Sequence, residues 1–266
     1  MSSSRKLALV TGASGGIGEA LARQFAARGY DLALAARSTA KLETLAQALH
    51  AQHGIVARAF TADLGQPGAA AQLVQALDAA GLEVDVLVNN AGLGLAGKLA
   101  DNDPAIVREM TMVNVVALTE LTRALLPGML ARGHGRILNL ASTAAFQPGP
   151  LMAVYYASKA YVLSLSEALW SELKGSGVSA TVLCPGPVPT DFVARAGTGE
   201  LRLHSMLQTL SAEQVARIGL DAMERGKRVA VTGFMNKMGA AMAPLTPRFV
   251  TLPMVKYMQS ARGRDS

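Results

Sequence analysis

Short apolar runs alternate along this chain with longer stretches in which apolar residues recur at three- and four-residue intervals. The runs at 7–11, 31–36, 55–62, 84–89, 135–141, 179–183 and 228–232 are rich in Val, Leu, Ile and Ala, as strands buried on both faces are. The stretches 20–28, 40–52, 69–79, 106–131 and 153–174 carry the helical period. Strand and helix in this alternation predict right-handed crossovers and therefore one α/β domain, a doubly wound seven-stranded parallel sheet with helices on both faces. Ligands of such a sheet bind beyond the carboxyl ends of its strands. Two regions depart from the pattern. Pro185-Gly186-Pro187-Val188-Pro189-Thr190 has too many prolines for a helix or a ladder, and predicts a loop leading into a mobile flap over about 187–210. From Phe234 onward Pro244, Pro247 and Pro253 punctuate a segment holding five of the twelve methionines, an extension over about 234–266.

Composition narrows the picture. With 266 residues, half of them hydrophobic and 17% charged, residues 1–266 suffice for a single domain whose core needs no disulfide. Cys184 is the sole cysteine, so nothing points to an oxidising compartment and a cytoplasmic location is expected. Its place near a strand end suits a small buried hydrophobe. His50, His53, His134 and His204 fall on separate segments without metal-ligand spacing, and no metal site is expected. The apolar run after Lys6 ends within four residues, which makes it a first strand rather than a secretory signal. No uninterrupted apolar stretch approaches bilayer length, so no transmembrane helix is expected.

The net charge of +6 is unevenly placed: residues 1–194 hold 14 basic and 14 acidic side chains, residues 195–266 hold 11 and 5. A neutral core thus carries a basic appendage. Nucleic acid is not an expected partner, because no aromatic-interleaved basic stripe or binding motif is present. For the appendage two readings stand, a solvated charged surface or a contact with anionic groups, including peripheral contact with a membrane.

Three motifs carry chemistry. Thr11-Gly12-Ala13-Ser14-Gly15-Gly16-Ile17-Gly18 joins the first strand to a helix, where glycines let backbone N–H groups cradle a dinucleotide's phosphates. The spacing satisfies both T-G-x-x-x-G-x-G and T-G-x-x-G-x-x-G, and the loop alone does not choose between them. Ser142 ends the fifth apolar run and would place a hydroxyl at the same end of the sheet. Thirteen residues on, Tyr155 and Lys159 stand four apart, so on a helix an ammonium lies beside a phenol and favours its ionised form. That is an acid/base device. Tyr156 is the rival phenol, three residues before the lysine.

In this order and spacing the motifs resemble the short-chain dehydrogenase/reductase family, from Thr11 to Thr190, in particular a bacterial branch of broad-specificity carbonyl and 3-ketoacyl reductases. The resemblance implies a Rossmann fold, an oxidoreductase, and a tetrad of Asn114, Ser142, Tyr155 and Lys159. Tyr155 would be the proton donor, Lys159 would hold the nicotinamide ribose, and Asn114 would support a water relay to the lysine. Gly12, Ser14, Gly16, Ile17, Gly18, Asp63, Asn89, Ala91, Gly92, Pro185, Gly186, Val188 and Thr190, with Tyr155 and Lys159, would line the cofactor. At the end of the second strand Ala36 is neutral and Arg37 offers a guanidinium to a 2′-phosphate, so NADP(H) is expected over NAD(H). The substrate is expected to be a small-molecule ketone, aldehyde or 3-ketoacyl compound of fairly apolar character. The resemblance also implies a homo-oligomer, dimer or tetramer, paired through 106–131 and 153–174. A nucleotide-sugar epimerase or dehydratase is the alternative enzyme, weakened by the short chain and by Asn89-Asn90-Ala91-Gly92. A non-catalytic dinucleotide sensor is the alternative outside enzymes, and the complete tetrad argues against it.

Overall fold

The computed structural model describes residues 5–197 and 209–260. Seven strands, β1 (Leu7–Thr11), β2 (Asp31–Ala36), β3 (Ala57–Thr61), β4 (Val86–Asn89), β5 (Gly135–Leu140), β6 (Val178–Cys184) and β7 (Val229–Val231), form one parallel sheet in the order β3-β2-β1-β4-β5-β6-β7. Connections wind outward in opposite directions from β1 and β4, and the crevice between those two strands is where such a sheet takes a ligand.

Alternation along the strands divides the core. Val10, Leu34, Val88 and Leu138 face α1 (Gly16–Ala27), α2 (Thr39–His53) and α8 (Ala212–Glu224), meeting Leu21, Phe25, Leu42 and Leu220. Leu9, Ala33, Leu87 and Ile137 face the other way, onto Leu73 and Leu77 of α3 (Ala69–Ala79), Leu121 and Met129 of α5 (Leu118–Arg132), and Leu169 of α6 (Ala153–Glu172). Each fully buried Leu or Phe contributes about 1.5–3 kcal/mol relative to exposure. The two-sided burial of β1, β2 and β4 is why these strands read as apolar runs without alternation, whereas the edge strand β3 leaves Arg58 and Thr61 exposed.

Expected and observed boundaries agree to within two residues for the seven strands and for α2, α3 and α6, whereas α1 begins at Gly16, four residues before the expected start, because the glycines of the loop already form its first turn. The stretch 106–131 is not uniform: α4 (Pro104–Thr111) passes through a π turn at Met112–Ala117 before continuing as α5. The run Pro104–Arg132, 29 residues with an 18-residue window of mean hydropathy 1.2, is long and apolar enough to cross a bilayer by length and composition, where no such helix is expected from the sequence. In the fold it lies against the sheet, with Met110, Val113, Ala117, Leu121 and Met129 buried.

Past β6 the proline-rich loop leads into α7 (Asp191–Arg195), and residues 198–208 of the expected flap lie outside the described residues. α8 starts with a capping box between Ser211 and Gln214. The extension forms α9 (Phe234–Met242) and α10 (Arg248–Gln259). Thr251, Val255 and Gln259 turn inward from α10, and the Gln259 amide donates to the Tyr156 hydroxyl.

Candidate active site

A cleft of about 600 Å³ opens at the carboxyl ends of β1, β4 and β5. One end is walled by the glycine loop, the other by α6, the proline-rich loop and the extension.

The loop is locked by its neighbour from β4. Thr11 Oγ donates to the Val88 carbonyl at 3.1 Å and accepts the Asn90 and Ala91 N–H groups at 3.0 and 3.1 Å. Asn90 Nδ2 donates in turn to the Thr11 and Gly12 carbonyls at 2.9 and 3.1 Å. Gly12 has φ +66°, and a Cβ there would come within 2.8 Å of Asn90 Nδ2. A Cβ on Gly18 would collide with the Gly12 carbonyl, so helix and loop meet backbone to backbone. The residues therefore form a shallow cradle that side chains would fill, at the start of a helix whose first N–H groups no side chain caps. That fits a dinucleotide's pyrophosphate.

Most of the expected cofactor residues share this cleft: Gly12, Ser14, Gly16, Ile17, Gly18, Arg37, Asp63, Ala91, Gly92, Tyr155, Lys159, Pro185, Gly186, Val188 and Thr190 all line it. Asn89 does not, and is a correction. It follows Leu87 on the face of β4 turned to α5, where its Nδ2 donates to Thr122 Oγ at 3.0 Å and to Asn139 Oδ1 at 2.9 Å. The amide beside the cleft is Asn90's, one residue on, and strand alternation is the signal that separates them. Asn114 is also off the wall. Buried on the π turn, it accepts the Leu93 N–H at 2.8 Å and donates to the Leu93 carbonyl at 2.9 Å and to Ser158 Oγ at 3.0 Å. It clamps the strand-end loop to α6 directly behind Gly92. π turns recur at functional sites because they aim a side chain that a regular helix cannot.

At the adenosine end, Arg37 pairs with Glu109 of α4 at 2.9 Å. Ser38 and Lys41, which the sequence reading did not single out, line the cleft beside it. The Arg37 side chain lines the cleft, and its guanidinium already has a carboxylate partner, 72 residues away along the chain.

At the other end, the start of α6 brings Tyr155 next to Ser142, whose Oγ accepts the Ala144 N–H at 3.1 Å. Burial raises the Tyr155 phenol above its ordinary value, and a hydrogen bond with the Ser142 hydroxyl pulls the other way. Lys159 Nζ donates to the Leu140 carbonyl at 2.8 Å and lies 5.8 Å from the Tyr155 ring centre. Burial draws the ammonium down to about 8, opposed by Cys184, whose own thiol burial pushes up to about 12. The expectation of a depressed phenol is thus corrected: desolvation, not the nearby cation, sets its direction. Tyr156 is resolved by geometry. Its hydroxyl turns to Gln259, while Phe192 of α7 packs against the Tyr155 ring at a tilt of 46°, with ring centres 5.7 Å apart. Among the described residues no cluster of His, Cys, Asp and Glu could hold a metal.

Comparison with known proteins agrees with this geometry. A family model described as short chain dehydrogenase matches residues 6–201. A very-long-chain 3-oxoacyl-CoA reductase of Anas platyrhynchos is 38% identical over 188 residues, 69% of this chain, which spans 60% of that reductase's length. A short-chain dehydrogenase from Sphingobium yanoikuyae in complex with NADPH superposes with a TM-score of 0.80 at 29% identity, covering 97% of this chain and 100% of the other. A bulky-bulky ketone specific alcohol dehydrogenase from Comamonas testosteroni gives 0.76 at 27%, with 90% and 93% covered. A glycine cradle at the sheet's crevice, a phenol beside a serine at its far end, and these likenesses lead to one conclusion: the chain belongs to the short-chain dehydrogenase family and is an NADP(H)-dependent oxidoreductase of carbonyl and alcohol groups.

Proposed function

We propose that this enzyme reduces a bulky, apolar ketone or 3-ketoacyl compound, with Tyr155 as the acid. The observation that carries the reading is the Tyr155 phenol beside the Ser142 hydroxyl inside a cleft whose far wall is apolar, built from Met152, Phe192, Met235, Met242, Met254 and Val255. When bound, the reduced nicotinamide supplies the hydride. The chain's own residues do the rest. Tyr155, kept neutral by burial, gives its proton to the carbonyl oxygen as negative charge gathers there. Ser142 donates a hydrogen bond to the same oxygen, an oxyanion-type stabilisation. Lys159 stands behind the phenol as a cation at neutral pH and offsets the phenolate left by proton transfer. Asn114 holds Leu93 and Ser158, and so fixes Gly92 and the start of α6 around the lysine. Arg37, with Ser38 and Lys41, would bind the 2′-phosphate, and Gly12, Gly16 and Gly18 the pyrophosphate.

The likeness to a 3-oxoacyl-CoA reductase and to a bulky-ketone dehydrogenase supports this substrate class. The test is NADPH consumption over ketoacyl thioesters, bulky ketones, steroids, aldehydes and nucleotide sugars. Turnover should be highest on the apolar ketones and thioesters. Activity confined to nucleotide sugars would instead establish the epimerase or dehydratase reading. We also assign the chain to a cytoplasmic homo-oligomer, in which the exposed Ile106, Leu130 and Tyr161 of α4, α5 and α6 are available for pairing.

The pH profile follows from the two burial shifts. The phenol remains protonated through neutral and mildly alkaline pH, whereas the lysine loses its charge as pH rises through about 8. The kcat/KM for reduction should therefore be flat below that point and decline above it, while oxidation, which needs the phenolate, should rise. Superimposable profiles in the two directions would remove Tyr155 and Lys159 as the titrating groups.

A further inference from the structure

The extension leaves an unusual surface. Phe234, Met235, Leu245 and Phe249 are 74%, 68%, 75% and 80% exposed, and Met238, Met242, Val250, Leu252 and Met254 are exposed beside them. These side chains are not a core left open, since α10 already packs inward through Thr251, Val255 and Gln259. Single exposed apolar residues are ordinary, but a group of this size marks a contact surface.

The charge around it identifies the partner. Residues 234–260 contain Lys237, Arg248 and Lys256 and not one acidic side chain. Two copies meeting face to face would set these cations against their own counterparts with no carboxylate from the segment between them. An anionic lipid surface supplies both requirements at once, headgroup charge for the lysines and arginine and acyl chains for the phenylalanines, leucines and methionines. The surface also adjoins the site: Met235, Met242 and Met254 line the cleft as well as being exposed.

We propose that α9 and α10 dock the enzyme on an anionic membrane with the mouth of the cleft turned toward the bilayer, so that an apolar carbonyl substrate passes to the site from the lipid. The route for substrate rests on the function proposed above; the docking itself does not. Each basic residue near such a surface strengthens binding roughly fivefold, so three together contribute on the order of a hundredfold, and the attraction weakens as salt shortens the screening length.

The experiment is co-sedimentation of the full chain with vesicles of phosphatidylcholine alone and of phosphatidylcholine mixed with phosphatidylglycerol, across a salt series. Wild type should bind the mixed vesicles and be released by salt. Lys237→Gln with Arg248→Gln and Lys256→Gln should lose about a hundredfold in partitioning. Leu245→Ser with Phe249→Ser should lose binding at every salt concentration. Neither set touches the cleft wall, so both should keep wild-type turnover on a water-soluble ketone, which separates a failure of docking from a failure of the assigned reaction. Wild type remaining in the supernatant with mixed vesicles overturns the proposal. So does equal sedimentation of wild type and both variants, or a dimer in solution that Leu245→Ser with Phe249→Ser dissociates while no vesicle binding is found.

Discussion

Tyr155→Phe is expected to bind NADPH normally and to lose roughly a hundred to ten thousandfold in kcat, the range that general acid catalysis supplies. The substitution deletes one oxygen atom, which in the fold lies beside Ser142 and takes no part in the bonds of Thr11 and Asn90 that lock the cofactor cradle. Tyr156→Phe is the matched control. It removes a hydroxyl that accepts from Gln259, so the expected cost is about 1 kcal/mol of stability, with turnover nearly intact. Stopped-flow binding and steady-state rates on the two variants separate the phenols. The assignment fails if Tyr155→Phe keeps more than about a tenth of wild-type kcat, or if the large loss falls on Tyr156→Phe instead.

Arg37→Ala combined with Ala36→Asp is expected to turn the enzyme from NADPH toward NADH. Removing a guanidinium from a 2′-phosphate forfeits a charge-assisted contact of about 1.5–3 kcal/mol, roughly ten to a hundredfold in affinity. Adding a carboxylate at the strand end offers ribose hydroxyls an acceptor and repels the phosphate, so the ratio of the two kcat/KM values should move by roughly a hundred to a thousandfold. Lys41 remains at that end of the cleft and will hold part of the phosphate affinity. The Arg37–Glu109 pair adds a separable effect: Glu109→Gln frees the guanidinium and should lower KM for NADPH while leaving that for NADH unchanged. A wild type already faster with NADH defeats this assignment, as does a double variant whose preference does not move.

The sequence was most legible where burial is two-sided. Continuous apolar runs such as Leu7–Thr11 and Asp31–Ala36 leave the chain no other stable place than the middle of a covered sheet, and those bounds proved exact. Local motifs were legible for a similar reason, because a glycine that must pass within contact distance of backbone, like Gly18 against Gly12, admits no other residue. Long-range partners were not. Nothing near Arg37 signals Glu109, and nothing near Tyr156 signals Gln259, since each pair is made by elements meeting in space. Asn89 was misplaced by matching a four-residue motif as a block, although neighbouring residues on a strand point to opposite faces. The direction of the Tyr155 shift was misjudged because spacing along a helix reveals the neighbouring cation but not how much water the fold removes.

The π turn at Met112–Ala117 is, in terms of chain count, a helix carrying one residue more than its length requires. Regular helix lies on either side, with Met110 before it and Leu121 after it both buried. Deleting Val115 should therefore let the turn close into ordinary α-helix while the flanking halves keep their phase, at little cost to the melting temperature. Asn114 would then be carried off its clamp on Leu93, and activity should vanish from a protein that remains folded. The same deletion at Thr119, inside regular helix, turns everything beyond it by about 100° and should unfold the domain. If the two deletions melt alike, the surplus residue belongs to the fold; if only the second does, it is held there for chemistry.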